Sequence, residues 1–82
     1  MPKALNPNIE GYSFFFYSNE GTEPRHVHVW RGDGMAKYWL EPDVELADTN
    51  GRFKIKELKR AEELVKKHTD KIKKAWDKHF QQ

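Results

Sequence analysis

Residues 24–40 read Pro24-Arg25-His26-Val27-His28-Val29-Trp30-Arg31-Gly32-Asp33-Gly34-Met35-Ala36-Lys37-Tyr38-Trp39-Leu40. From Arg25 to Arg31, β-branched valines alternate with His26, His28 and Trp30, the period-two pattern of a half-buried strand. Successive side chains of a strand point to opposite faces, so Val27 and Val29 enter a core while both imidazoles and the indole share the other face. A second strand is expected over Met35–Glu41, and the glycines between the two mark a hairpin. A two-residue loop at Asp33-Gly34 would set Val27 opposite Leu40, Val29 opposite Tyr38 and Arg31 opposite Ala36. The other face would then place His26 opposite Glu41, His28 opposite Trp39 and Trp30 opposite Lys37. A slip of one residue would exchange the faces, which favours a register that keeps the apolar residues together.

Working outward, residues 12–17 (Tyr-Ser-Phe-Phe-Phe-Tyr) form a strand by aromatic content and length. Its rings fall on both faces, so it is expected to be central or covered on both sides. Residues 1–11, with Pro2, Pro7, two Asn and Gly11, read as an irregular lead-in before a single domain over 12–80. Pro42 ends the hairpin, residues 44–47 offer a short edge strand, and Asp48-Thr49-Asn50-Gly51 is a turn. From Lys54 the period becomes helical. Ile55, Leu58, Leu64, Val65, His68, Ile72, Ala75, Trp76 and Phe80 recur on one stripe. Two helices are expected, about 54–67 and 70–80, broken at His68-Thr69-Asp70 with Thr69 as a cap; one continuous helix is the alternative. The fold class is therefore α+β: a small antiparallel sheet of three to four strands followed by two C-terminal helices packed on one face.

Eighty-two residues allow one domain with one modest core. Charged residues make up 34% and aromatic residues 13% of the chain, so the core must draw on large rings. The chain has no cysteine, which excludes disulfides and thiolate metal sites. The start Met-Pro-Lys-Ala-Leu-Asn-Pro has no apolar segment after its lysine, so no signal peptide is expected. No apolar run approaches the length of a membrane span, and a cytoplasmic protein without membrane contact is the expectation. Charge is uneven: residues 1–51 hold four Lys/Arg and eight Asp/Glu, whereas residues 52–82 hold eleven and five. A basic half of this kind pairs internally or faces an anionic partner.

His26 and His28 are the candidate catalytic residues. Two apart on one strand face, they could act as base and acid on one phosphodiester, in a metal-independent ribonuclease. Arg25 or Lys37 would stabilise phosphate charge, and Glu20 or Glu41 would orient a ring. The same pair could supply two nitrogens to a metal, with Glu20, Glu23 or Glu41 as oxygen ligand. Without a third spaced ligand the pair does not define a metal site, and no metal or cofactor is assigned. A structural role is the third possibility: the rings hydrogen-bond the polar loop at 18–24 and close it over the sheet. In the mixed case His28 is structural and His26 faces a solvent cleft. Trp30 and Trp39 could stack on bases, unless the helices cover their face. The lysines of residues 54–74 could track a nucleic-acid backbone or form a solvated helix face. Gly32-Asp33-Gly34 carries no phosphate-loop pattern, and no Ser or Thr sits in a nucleophile motif.

Tyr17-Ser18-Asn19-Glu20, Pro24-Arg25-His26-Val27-His28-Val29, Gly32-Asp33-Gly34, Ala36-Lys37-Tyr38-Trp39-Leu40 and Ala75-Trp76 resemble the small bacterial family called domain of unknown function 4160. The resemblance runs from about Gly11 to Phe80, and Pro-x-His-x-His is its most specific part. Members often read Pro-Pro before the first histidine, where this chain has Arg25. The resemblance implies a companion to another small protein encoded nearby, in pairs classed as toxin–antitoxin-like, acting through protein–protein binding. It carries no catalytic residues over to this chain.

Overall fold

A computed structural model describes residues 2–80. Five strands, β1 (Lys3–Ile9), β2 (Tyr12–Phe15), β3 (His26–Arg31), β4 (Gly34–Trp39) and β5 (Glu45–Thr49), precede two helices, α1 (Ile55–Lys67) and α2 (Thr69–Phe80). The strands form one sheet in the order β1-β2-β3-β4-β5, each antiparallel to its neighbour. This is the expected α+β class, with one more strand than the sequence suggested. The extra strand is β1, in residues read as an irregular lead-in. Pro7 and the asparagines on either side of it disfavour a central strand, but β1 lies at the sheet edge, where a missing N–H need not be paired. Its ladder with β2 is irregular, with register shifts on either side of Leu5.

The central hairpin keeps the expected faces and changes the register by two residues. Val27 pairs with Tyr38, Val29 with Ala36, His26 with Trp39, His28 with Lys37 and Trp30 with Met35. The loop is Gly32-Asp33, since Arg31 pairs with Gly34. Gly32 takes φ +58°, the positive value required at the first central position of a tight hairpin turn. Gly34 is instead a strand residue under Phe53: a Cβ there would come within 2.2 Å of that ring. A shift of two preserves side-chain alternation, which is why the faces survive while the expected opposite partners do not.

The helices lie over the valine face. Phe14, Val27, Val29, Ala36 and Tyr38 are buried there with Ala61, Leu64, Val65, Ile72 and Trp76. The hydroxyls of Tyr38 and Tyr12 donate to the helix carbonyls of Leu58 and Glu57 at 2.8 and 3.3 Å. Ile55, expected on the buried stripe, is 75% exposed; it is the first helical residue and lies outside the core cluster. At the start of α1 the Lys54 N–H donates to the Glu57 carboxylate at 2.8 Å, satisfying one free backbone donor. The chain makes two helices and not one, with His68 (φ −107°, ψ 17°) at the break. Thr69 does not cap α2 with an acceptor oxygen; its hydroxyl donates back to the Val65 carbonyl at 2.8 Å. Among the described residues no helix is long and apolar enough to cross a membrane.

A candidate site where a loop closes on two histidines

The other face of the hairpin is covered by residues 18–24, with α2 reaching its edge through Trp76. A single 3₁₀ turn at Ser18–Glu20 carries Glu20 over β3. One carboxylate oxygen, Glu20 Oε1, meets Nε2 of His26 at 2.8 Å and Nε2 of His28 at 2.7 Å. The second nitrogen of His26, Nδ1, meets the Pro24 carbonyl at 2.8 Å. Both rings are buried, His26 fully and His28 at 4% exposure. His26 therefore faces no solvent cleft, contrary to the mixed reading in which it was the accessible ring. Trp39 on β4 and Trp76 on α2 close around it, with ring centroids at 5.5 and 4.9 Å.

Tyr17 stacks on His28, with centroids 3.9 Å apart and planes 15° from parallel. The Tyr17 hydroxyl accepts the Trp30 indole N–H at 3.2 Å. Lys37, opposite His28 on β4, bonds the Glu23 carboxylate at 2.8 Å and lies 4.6 Å from the Trp39 ring centre. Nζ of Lys37 is 4.0 Å from the second oxygen of Glu20. Gly21 lets the loop pass beneath Phe80, whose ring would lie 2.5 Å from a Cβ at that position.

Burial alone would raise the Glu20 pKa, but hydrogen bonds from His26 and His28 outweigh it and hold the carboxyl below its ordinary range. Burial pushes His28 down, against the opposing pull of Glu20. The hydrogen-bond inventory is informative. A neutral imidazole has one N–H and one lone pair. Both nitrogens of His26 face oxygens, so a cation, either a second ring proton or an ion, is needed at one of them. Nδ1 of His28 is buried with no hydrogen-bond partner among the described residues.

The remaining sequence-predicted residues divide. Glu20 joins both imidazoles, as one reading required. Glu41 does not reach them: the two-residue register change puts Trp39 opposite His26, and Glu41 pairs with Arg25 at 3.4 Å. Arg25 is not free for a phosphate on that face, because its Nε and Nη2 form a fork on the Asp77 carboxylate at 2.8 and 2.7 Å. Trp30 and Trp39 are half-buried and lie outside the helix layer's core. Sequence reasoning missed two contributors. Tyr17 is signalled by strand alternation and by its place in the Tyr17-Ser18-Asn19-Glu20 stretch, while Asp77 has no signal, since a lone acid on a lysine-rich helix reads as a solvated charge.

The fold and this face define a small α+β domain with a loop latched to its sheet by a buried histidine–carboxylate cluster. The chain belongs to the family described as "Domain of unknown function (DUF4160)", whose profile it matches over residues 11–77. No curated protein and no solved structure matches the chain.

Proposed function

We propose that this chain is a binding module, one half of a two-gene, toxin–antitoxin-like pair, whose partner is another small protein encoded nearby. The observation that supports this reading is the open outer edge of β5, the last strand of the sheet. It carries Leu46 at 42% exposure, and an edge of unpaired backbone groups beside an exposed apolar side chain suits addition of a partner strand. The test is co-expression with the product of the adjacent gene. A stoichiometric complex that is lost in Leu46→Lys, with the variant still folded, is the expected result. A strictly monomeric chain that does not retain that product overturns the reading.

Catalysis is the weaker alternative. A metal-independent ribonuclease needs His26 and His28 to reach a phosphodiester, and both rings are sealed and committed to Glu20. RNA cleavage in EDTA by wild type, abolished in folded His26→Ala and His28→Ala, would reverse the order. A nucleic-acid-binding role draws support from a different observation: Lys56, Lys59, Lys67, Lys71 and Lys74 are exposed on the helices. Binding of that kind would weaken steeply with salt as counterions are released. Failure to retain RNA even at low salt would exclude it.

A further inference from the structure

We propose that Glu20, His26 and His28 form a site for a first-row divalent cation of borderline softness, with Zn²⁺ the best match, and that the ion staples the loop at 18–24 to the sheet. The sequence leaves Glu20, Glu23 and Glu41 open as the oxygen ligand beside the His-x-His pair, and it is Glu20 that the fold brings to both rings. Folding brings one ligand atom of each residue within 4.8 Å of the other two. Around a tetrahedral ion with bonds of about 2.0–2.2 Å, neighbouring ligand atoms sit about 3.3 Å apart. Glu20 Oε1 is now 2.8 and 2.7 Å from the two nitrogens. Admitting the ion takes two adjustments. The carboxylate, carried on a loop, backs away by about half an ångström. The imidazoles, whose ligand atoms lie up to 4.8 Å apart, turn toward each other to about the same 3.3 Å.

The outer contacts favour an ion at Nε2 of His26. A metal-bound imidazole characteristically donates its other N–H to a carbonyl or carboxylate, which fixes the tautomer. His26 has that contact, Nδ1 to the Pro24 carbonyl at 2.8 Å. With the proton on Nδ1, the lone pair of Nε2 points at Glu20 Oε1, and a cation is needed between them. A proton between them serves His26 alone; a divalent ion takes up the Nε2 lone pairs of His26 and His28 and the carboxylate together. Two imidazoles and one carboxylate suit Zn²⁺ and its neighbours, whereas Ca²⁺ and Mg²⁺ take oxygen ligands.

Lys37 does not fill this position, because its ammonium lies 2.8 Å from Glu23 but 4.0 Å from Glu20. Glu23 therefore balances its charge. The rings are sealed and only the Glu20 side chain, at 18%, is partly open. An ion here is held away from substrate and serves to hold the loop. The ligands also rank. An ion on Nε2 of His28 moves that ring's proton to Nδ1, which is buried with no hydrogen-bond partner among the described residues, so His28 contributes least to affinity.

The experiment uses the full chain, stripped with EDTA and dialysed, titrated with Zn²⁺ by calorimetry and with Co²⁺ by visible absorption. One equivalent of Zn²⁺ is expected, together with ligand-field bands of Co²⁺ on nitrogen and oxygen ligands. Zn²⁺ at about 100 times its Kd should raise the melting temperature by roughly 5 °C or more. Glu20→Gln, a change on the loop that spares the core, should lose Zn²⁺ affinity at least about 100-fold, and His28→Gln less than that. His79→Gln, on the exposed end of α2, should bind as wild type does. Absence of binding and of any thermal shift overturns the proposal. So does Zn²⁺ binding that survives Glu20→Gln unchanged, or binding lost in His79→Gln, since either would place the ion on surface imidazoles. Because the partner-binding test makes no use of metal, failure of one proposal leaves the other standing.

Discussion

The two faces of the β3–β4 hairpin are made by alternate residues of the same two strands, yet they are held by different forces. On one face Val27, Val29, Ala36 and Tyr38 are at most 1% exposed beneath the helices, and what matters there is volume. On the other, His26, His28 and Lys37 meet Glu20 and Glu23 of a covering loop, and what matters is pairing. Close packing makes the first face sensitive to any lost atom. The second is sensitive to the loss of one oxygen, because removing a partner leaves a buried polar group unpaired. A seven-residue loop, with Trp76 of α2 at its edge, thus does for one face what two helices do for the other.

Deleting bulk from the dry face should have the largest effect. Phe14 is fully buried and pairs with Val29 across β2 and β3. Phe14→Ala should destabilise by about 3–5 kcal/mol through lost transfer energy and the cavity left behind. For a domain of this size that approaches the whole stability, so the variant should be partly unfolded in plain buffer. A urea midpoint close to wild type would mean that the helices do not grip this face as described.

On the polar face the corresponding change is Glu20→Gln, measured in EDTA so that metal plays no part. Two charge-assisted hydrogen bonds are weakened together, and a loss on the order of 2–3 kcal/mol is expected. A loss too small to measure would show that the loop stays closed without its carboxylate. The pH dependence sharpens this. Glu20 is held below its ordinary 4.5 and His28 is pushed below its ordinary 6.5, so the unfolded chain binds more protons than the folded one at acid pH. The stability from these two groups is complete above about pH 6.5 and is lost as pH falls toward each folded value. Glu20→Gln should flatten the lower part of that decline, below about pH 4.5.

How far the sequence disclosed these two faces follows from the range of the forces involved. Alternation along His26–Arg31 and the 3.6-residue stripe in residues 54–80 are local, so the strands, the two helices and the sorting of residues between faces could be read directly. The hairpin register was misread by two because Gly32 and Gly34 are both acceptable turn residues. Phe53, a contact nineteen positions downstream that packs on Gly34, decides between them. β1 was hidden by Pro2 and Pro7, whose strand-breaking effect lapses at an edge. The site was legible as the pair His26 and His28 with Glu20 nearby. That one oxygen of Glu20 serves both rings depends on how the loop closes, and neither spacing nor composition encodes it. Arg25 looked like a phosphate ligand because its partner Asp77 arrives from the last helix.

The finest comparison makes one substitution twice, Tyr→Phe, once on each face. Tyr38 is 1% exposed and donates to the Leu58 carbonyl, with no solvent to replace the lost bond. Tyr38→Phe should cost about 0.5–1.5 kcal/mol. Burial pushes the Tyr38 pKa up to about 12, whereas in the unfolded chain the phenol ionises near its ordinary 10. The unfolded chain therefore releases its proton first, and stability should fall as pH rises from about 10 to about 12, a decline that Tyr38→Phe should largely abolish. Tyr17 is half-buried and accepts from an indole that is itself half-buried. In Tyr17→Phe the ring still stacks on His28, water can reach the Trp30 N–H, and the cost should stay below about 0.5 kcal/mol. Tyr17→Ala, which also removes the stacked ring, should cost clearly more. If Tyr17→Phe proves as damaging as Tyr38→Phe, the polar face is as dry as the other, and water cannot stand in for its hydrogen bonds.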